Sequence, residues 1–288
     1  MKILTFDIED WFHILDHPST SSVASWENFS SRLEPGVHKI LKILSDNNLK
    51  ATFFCLGWVG EKYPHVIKEI ADEGHEIGSH SYGHQLVYKQ NRKTFKDDLL
   101  KSLDILQSIS GNKILSYRAP GFSITDGCSW AFDELVQSGI KIDCSVFAAH
   151  RSHGGIPRLT NASEPFELIT TSGMLKCFPL NTRKLFGHPF VFSGGGYFRL
   201  FPLWLTRSLF ERSNYVMTYF HPRDFDPLQP RIEDLSLIRT FKSYVGLSKT
   251  ESKLREILKD HEFITVKELE KTVNWATTYK LSFGSSNL

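Results

Sequence analysis

Two imidazoles and a group of acids stand out in this chain for what they could do together. His80 and His84 lie four residues apart in "EIGSHSYGH", while Asp7, Glu9 and Asp10 crowd into "TFDIEDWF". Residues four apart on a helical turn share one face, about 6 Å apart along the axis. Two imidazoles so placed can share a divalent cation, and a carboxylate from another element completes three protein ligands. Three ligands leave one coordination position for water, the arrangement of a catalytic rather than a structural ion. Such an ion moves the ionisation of water from about 15.7 to near neutrality. Further along the chain, Arg118, Asp143 and His221 stand at the ends of apolar, strand-like runs.

These groups can meet only if their elements converge, and the apolar periodicity says how. "KILTF", "KATFFCLG", "EIGSH", "ILSYRAPG" and "KIDCSVF" read as short buried strands. Between them, helical spacing recurs. A helix opens at Pro35-Gly36, with Val37, Ile40, Leu41 and Leu44 on one face. A second runs through "EKYPHVIKEIADEGH", and Thr94 and Gly111 bound a third. Alternating strands and helices predict a parallel sheet of the α/β barrel kind, in which reactive groups gather at the C-terminal strand ends. Residues 1–275 read as one domain. About 150–200 forms a β-rich insertion and about 231–275 a helical extension, leaving 276–288 as a frayed tail.

Composition narrows the function classes. Of 288 residues, 41% are hydrophobic and 23% charged, with a net charge of +2. That balance gives no electrostatic case for nucleic acid. No run approaches the roughly 18 apolar residues of an integral membrane segment. "MKILTFDIEDWF" lacks the long apolar region and small-residue cleavage site of an export signal, which leads us to expect a cytoplasmic protein. Cys55, Cys128, Cys144 and Cys177 are widely spaced without a CxxC pair, so buried free thiols are expected.

Taken in order, "TFDIED", "HSYGH", "RAPG" and "YFHP" resemble the motifs of the polysaccharide deacetylase family, the NodB-like carbohydrate esterases. The resemblance runs from Met1 to about Val273. "SGGGYFRL" and "YVGLSKTESKLREIL" look like a branch associated with exopolysaccharide or surface-polysaccharide assembly. What the resemblance implies is a distorted (β/α) barrel, a divalent metal, and hydrolysis of an N-acetyl group from an amino sugar. It makes Asp7 the general base, His80 and His84 the metal-binding histidines, and Arg118 the partner that keeps the base ionised. His221 becomes the acid that protonates the departing amine, and Pro120 shapes the groove wall. An amide has a poor leaving group, so an acid at its nitrogen and a cation at its carbonyl both make chemical sense.

The chain departs from the commonest family pattern at Ile8, where many relatives carry a second aspartate. The third ligand is then Glu9 or Asp10. An extended strand turns Asp7 and Glu9 to one side and Asp10 to the other, which favours Glu9. Zinc suits two imidazoles and a carboxylate best, with other first-row ions possible. Trp11, Tyr197 and Asp143 are candidates for substrate contact, and Asp143 for steering His221. His13, His17, His150 and His153 read as solvated loop histidines, and Gly194–Gly196 as a tight turn near the groove. The expected partner is an N-acetylated saccharide or a nucleotide- or lipid-linked sugar. The alternatives are a non-catalytic carbohydrate-binding relative and a hydrolase of a cyclic amide or ureide.

Overall fold

The structure, a computed structural model, describes residues 1–149, 153–159, 163–185 and 188–282. Its first half runs β1 (Lys2–Ile3), β2 (Thr5–Ile8), α1 (Val23–Trp26), α2 (Leu33–Asp46), β3 (Thr52–Cys55) and α3 (Gly57–Lys62). It continues with α4 (Pro64–Asp72), β4 (Glu76–Ser79), α5 (Arg92–Ser110), β5 (Ser116–Tyr117), α6 (Trp130–Gln137) and β6 (Ile142–Asp143). The second half holds β7 (Phe166–Thr170), β8 (Gly173–Cys177), β9 (Arg183–Leu185), β10 (His188–Phe190), α7 (Gly195–Leu200) and α8 (Leu203–Glu211). β11 (Val216–Met217), α9 (Leu237–Tyr244), α10 (Thr250–Asp260), α11 (Val266–Thr272) and β12 (Lys280–Ser282) complete it.

The main sheet has the order β12-β7-β8-β6-β5-β4-β3-β2, parallel from β2 through β6 to β8. Beyond β2 the backbone continues the pairing: Asp7 N–H donates to Phe220 O at 2.7 Å, and Gly194 bridges Tyr219. The sheet thus curls into a distorted (β/α) barrel. Every residue of β2 and β3 is buried, as strands covered on both faces by helices and core must be. α2 supplies Leu33, Val37, Ile40, Leu41, Ile43 and Leu44 from one apolar face. α5 begins three residues earlier than a cap at Thr94 would place it. Asn91 is the cap, accepting from Thr94 N–H, and Gly111 at φ 67° ends the helix.

The strand register decides which side chains reach the barrel interior. Ile8, Cys55, Ser79, Tyr117, Asp143 and Cys177 lie abreast in one row. That row faces the helices: Ser79 Oγ bonds Ser102 Oγ of α5, and Tyr117 packs edge-on against Phe95 of the same helix. The next residue on each strand turns inward, which starts the rim with Glu9, His80 and Arg118.

Two boundaries differ from the sequence reading. Residues 166–177 are no appended insertion, because β8 pairs with β6 and β7 pairs antiparallel with β8 inside the main sheet. The segment 276–288 is not all tail: β12 pairs with β7, and Lys280 Nζ lies 3.0 Å from Glu167 Oε2. Alternating apolar residues announce a strand but not the edge it will join. The four cysteines are buried and free, as expected. Among the described residues, no helix is long and apolar enough to cross a membrane.

Candidate active site

Glu9 stands between the two imidazoles. Its Oε1 lies 3.1 Å from His80 Nε2 and 3.0 Å from His84 Nε2, and all three residues are buried. His80 Nδ1 donates to the Arg118 carbonyl at 2.7 Å. In the neutral ring that bond leaves the Nε2 lone pair aimed at a carboxylate oxygen, an arrangement that a cation between them satisfies. His84 Nε2 is buried as well and faces the same Glu9 oxygen. Ligand atoms of Glu9, His80 and His84 all fall within 4.8 Å of one another. Two nitrogen donors and one carboxylate fit a small divalent ion. Burial opposes ionisation of Glu9, yet the charges of His84 and His221 and the bonds from both ligand imidazoles hold its carboxyl well below the usual range.

The two histidines do not meet on a helical turn, contrary to the spacing argument. Ser81 (φ 69°) and His84 (φ 52°) adopt left-handed conformations in a tight loop after β4. The loop is pinned from below: Tyr82 N–H and Gly83 N–H both donate to the Asp98 carboxylate at 2.8 Å, and His84 N–H donates to Ser81 Oγ at 3.0 Å. Asp98 went unremarked in the sequence. Its signal was an acid set into the apolar stripe of α5, beside Phe95, Leu99 and Ser102.

Asp10 turns away from the histidines. Its carboxylate accepts Trp11 N–H at 2.8 Å, Arg32 N–H at 3.1 Å and the Ser31 hydroxyl, which ties the end of β2 to the start of α2. Asp7 Oδ1 accepts from Arg118 Nη1 at 2.6 Å, and both side chains are buried. The same Nη1 reaches Thr5 Oγ1 at 2.8 Å, and Arg118 Cζ lies 4.2 Å from the Phe54 ring centroid. Arg118 is thereby held in one position.

His221 closes the opposite side. Its Nε2 is 3.9 Å from Asp7 Oδ2 and 3.8 Å from Glu9 Oε1, while Nδ1 is 3.0 Å from Asp224 Oδ2. Asp143 does not steer this ring. It sits in the outward-facing row, fully buried, accepting Ser145 N–H at 3.0 Å, and burial pushes its carboxyl up to about 6. Asp224, three residues after His221 in "HPRD", takes that role. Arg199 Nε lies 3.0 Å from Asp224 Oδ1, and the rest of the guanidinium donates to the carbonyls of Lys242, Ser243 and Val245 at the end of α9. Burial opposes ionisation of Asp224, but Arg199 and His221 hold it down at about 2. Burial alone would lower His221, and the bond to Asp224 with the charges of Glu9, Asp224 and Asp7 raises it to about 9.

This pairing has a measurable sign. The folded value lies above the ordinary 6.5, so the stability that protonated His221 contributes is complete below pH 6.5 and is lost as pH rises through about 9. Asp224→Asn is expected to drop the His221 midpoint toward 6.5 in an imidazole NMR titration of the metal-free protein. An unchanged midpoint would contradict the pairing.

A cavity of about 370 Å³ opens over these groups, within the size range of small-ligand sites. Asp7, Glu9, His80, His84 and His221 line it, together with Phe122, Phe147 and Tyr219 among the aromatic residues. Trp11, Pro120, Tyr197 and Asp143 are not among its lining residues. Trp11 is buried against Phe12 and Phe29, with its indole N–H on Ser30 O. Pro120 is buried behind Gly121 and Phe122, which do line the cavity. Tyr197 packs against Phe190 and Phe201. Large aromatic residues gain most by filling core space, and the sequence could not distinguish that from a sugar platform.

His13 is no solvated histidine. It is buried among Phe12, Trp26 and Trp58, and burial holds it well below the ordinary value. His17 is buried too, His153 lines the cavity, and His150 lies outside the described residues. The glycine run does border the cavity through Gly195 and Gly196. A Cβ at Gly194 would stand 1.9 Å from Tyr219 O, so only glycine lets these backbones pair.

Two stretches of the chain match known family models. Residues 15–136 match the polysaccharide deacetylase family model, and residues 144–271 match a domain of unknown function, DUF3473. The peptidoglycan-N-acetylglucosamine deacetylase of Bacillus cereus is 38% identical over 97 residues, covering 33% of this chain and 35% of that protein. The peptidoglycan deacetylase of Helicobacter pylori is 31% identical over 113 residues, or 39% of this chain and 38% of that one. The chain thus spans little more than a third of the length of these curated relatives. A Mycobacterium smegmatis crystal structure assigned as a polysaccharide deacetylase superposes with a TM-score of 0.68 at 18% identity, covering 100% of this chain and 94% of that one. At that identity the likeness speaks for the fold. His80, His84 and Arg118 fall inside the first matched stretch, Asp7 and Glu9 precede it, and His221 falls inside the second. Residues 15–136 are therefore similar to the polysaccharide deacetylase family, and the fold of the whole chain is similar to that of the Mycobacterium smegmatis structure.

Proposed function

We propose that this chain is a metal-dependent hydrolase that removes the N-acetyl group from an amino sugar of a polysaccharide or its biosynthetic precursor. The observation that carries the reading is the set of three ligand atoms of Glu9, His80 and His84, flanked by an arginine-held carboxylate and a carboxylate-held imidazole in one cavity. Glu9, His80 and His84 would hold the ion, best Zn²⁺ for this donor set. When bound, the ion polarises the acetyl carbonyl and makes water a nucleophile near neutral pH.

The chain's own residues supply the proton transfers. Asp7 Oδ1 is engaged by Arg118, so Oδ2 is the atom that accepts a proton from the attacking water. His221 holds Asp224 through Nδ1, and Nε2 is the atom that donates to the leaving nitrogen. Asp224 fixes the orientation and keeps the ring charged near neutral pH, which an acid in this step requires. Arg118 orients the Asp7 carboxylate and Asp224 orients the His221 ring, so a proton acceptor and a proton donor face the same cavity.

The test is acetate release by the zinc-loaded full chain from a panel of N-acetylated saccharides. The panel includes peptidoglycan- and chitin-derived oligomers, since relatives are named for deacetylating peptidoglycan and chitin. Release that stops on chelation and returns with added Zn²⁺ is the expected outcome. A zinc-saturated protein that frees no acetate from any of them would end the hydrolase reading and favour a carbohydrate-binding role.

A further inference from the structure

Arg223 is a charge that the deacetylation chemistry does not use. It lines the same cavity as the ion ligands, yet its Nη2 is buried with no hydrogen-bond partner among the described residues. The neighbouring carboxylate is committed elsewhere, because Asp224 binds Arg199 with one oxygen and His221 with the other. The guanidinium lies over the ring of Tyr244, with Arg223 Cζ 5.8 Å from its centroid. Burial pulls Arg223 below the ordinary arginine value, and the charge of Asp224, shared with Arg199 and His221, offsets this only in part.

The charges around the cavity point the same way. Asp7 is matched by Arg118 and Asp224 by Arg199, while Glu9 is matched by the imidazoles or by an ion. Arg223, Arg239 and Lys242 remain on the lining, all from the chain after His221. Arg239 donates to the carbonyls of Leu15 and Asp16, which bridges α9 to the loop after β2 on the cavity's other side. Lys242 is exposed on the same helix. One wall is therefore cationic beyond what the acids of the site balance. A planar guanidinium with a free donor suits a carboxylate or phosphate oxygen.

We infer that Arg223 forms an anion subsite in this cavity, and that the substrate carries a carboxylate or phosphate close to the acetamido group it presents to Glu9, His80 and His84. The inference rests on the deacetylase reading for what fills the rest of the cavity, but the anion subsite can be measured without turnover. Calorimetry on the zinc-loaded full chain would compare N-acetylglucosamine, N-acetylmuramic acid and N-acetylglucosamine 1-phosphate. At least one anionic sugar is expected to bind about ten- to hundred-fold more tightly than the neutral one, the range a charged hydrogen bond provides. Which anion wins separates a carboxylated glycan from a phosphate-linked sugar.

Arg223→Gln is expected to bring that preference to within about threefold of parity, and Arg223→Lys, which keeps the charge, to retain part of it. Equal affinity for all three sugars in the wild-type chain would overturn the inference without any variant. So would a preference that survives Arg223→Gln in a folded protein, since the anion would then be held by another cation of the cavity. Anion preference without acetate release from any substrate would sink the hydrolase reading alone, and acetate release without anion preference would sink this one alone.

Discussion

Asp7→Asn is expected to lower kcat for acetate release by about 10²–10⁴-fold, the span seen when a positioned general base is lost. Asparagine keeps the shape and an Oδ1 that still accepts from Arg118 Nη1, but it cannot take up a proton. The measurement that gives the result meaning is zinc affinity, by competition with a chromogenic chelator. Asp7 also belongs to a second cluster of possible ligand atoms, with Glu9 and His221. If Asp7 is the base, zinc affinity stays within about threefold while kcat collapses. If both fall together, Asp7 is a ligand and its assigned role is wrong. The substitution leaves Arg118 buried without its counter-charge, and breaking a buried pair typically costs ~3–5 kcal/mol. Thr5 Oγ1 and Cys144 O still accept from Arg118 and soften that cost. Assays therefore belong well below the variant's unfolding temperature.

Glu9→Gln should weaken zinc binding by at least about 100-fold, more than the 10–100-fold that partners outside the ligand set contribute. The reason is geometric as much as electrostatic. One oxygen of Glu9 faces both imidazole nitrogens, at 3.0 and 3.1 Å. Asp10 is spent on Trp11, Ser31 and Arg32. Thermal unfolding gives a readout that needs no substrate. Saturating Zn²⁺ at 100 times its Kd stabilises a folded site by about 2.7 kcal/mol, and that gain should be nearly absent in Glu9→Gln. Asp10→Asn is the informative contrast: it should lower the unfolding temperature while leaving the zinc-induced gain in place. Zinc affinity lost in Asp10→Asn but kept in Glu9→Gln would exchange the roles of the two acids.

How far the sequence could be read depended on what each residue's neighbours in the chain could report. Strand ends are marked by apolar runs that stop at polar residues, so Asp7, His80, Arg118 and His221 were visible as rim groups. The parity of an extended strand favoured Glu9 over Asp10 without excluding Asp10, and it is Glu9 that faces the two imidazoles while Asp10 bonds Trp11, Ser31 and Arg32. The same parity misled at Asp143. Its strand was recognised but not its register against β5, and one residue of slip decides between helix layer and barrel mouth. Trp11 and Tyr197 failed for another reason, because an aromatic side chain looks the same whether it meets a sugar or a neighbouring ring.

By itself, the sequence determined the alternation of strands and helices, the residue types at the strand ends, and the chemistry those types can perform together. These are local properties, set by side-chain periodicity and by donor atoms that each residue carries wherever it sits. Only the tertiary structure decided who faces whom. Asp98 reaches back from α5 to shape the histidine loop, Arg199 joins the end of α9 to Asp224, and Arg223 is left in the cavity with a donor unspent. Those pairings join segments of the chain that no local pattern links. They exist because closing the barrel buries charged groups together, and a buried charge must find a partner in whatever part of the chain the fold brings beside it.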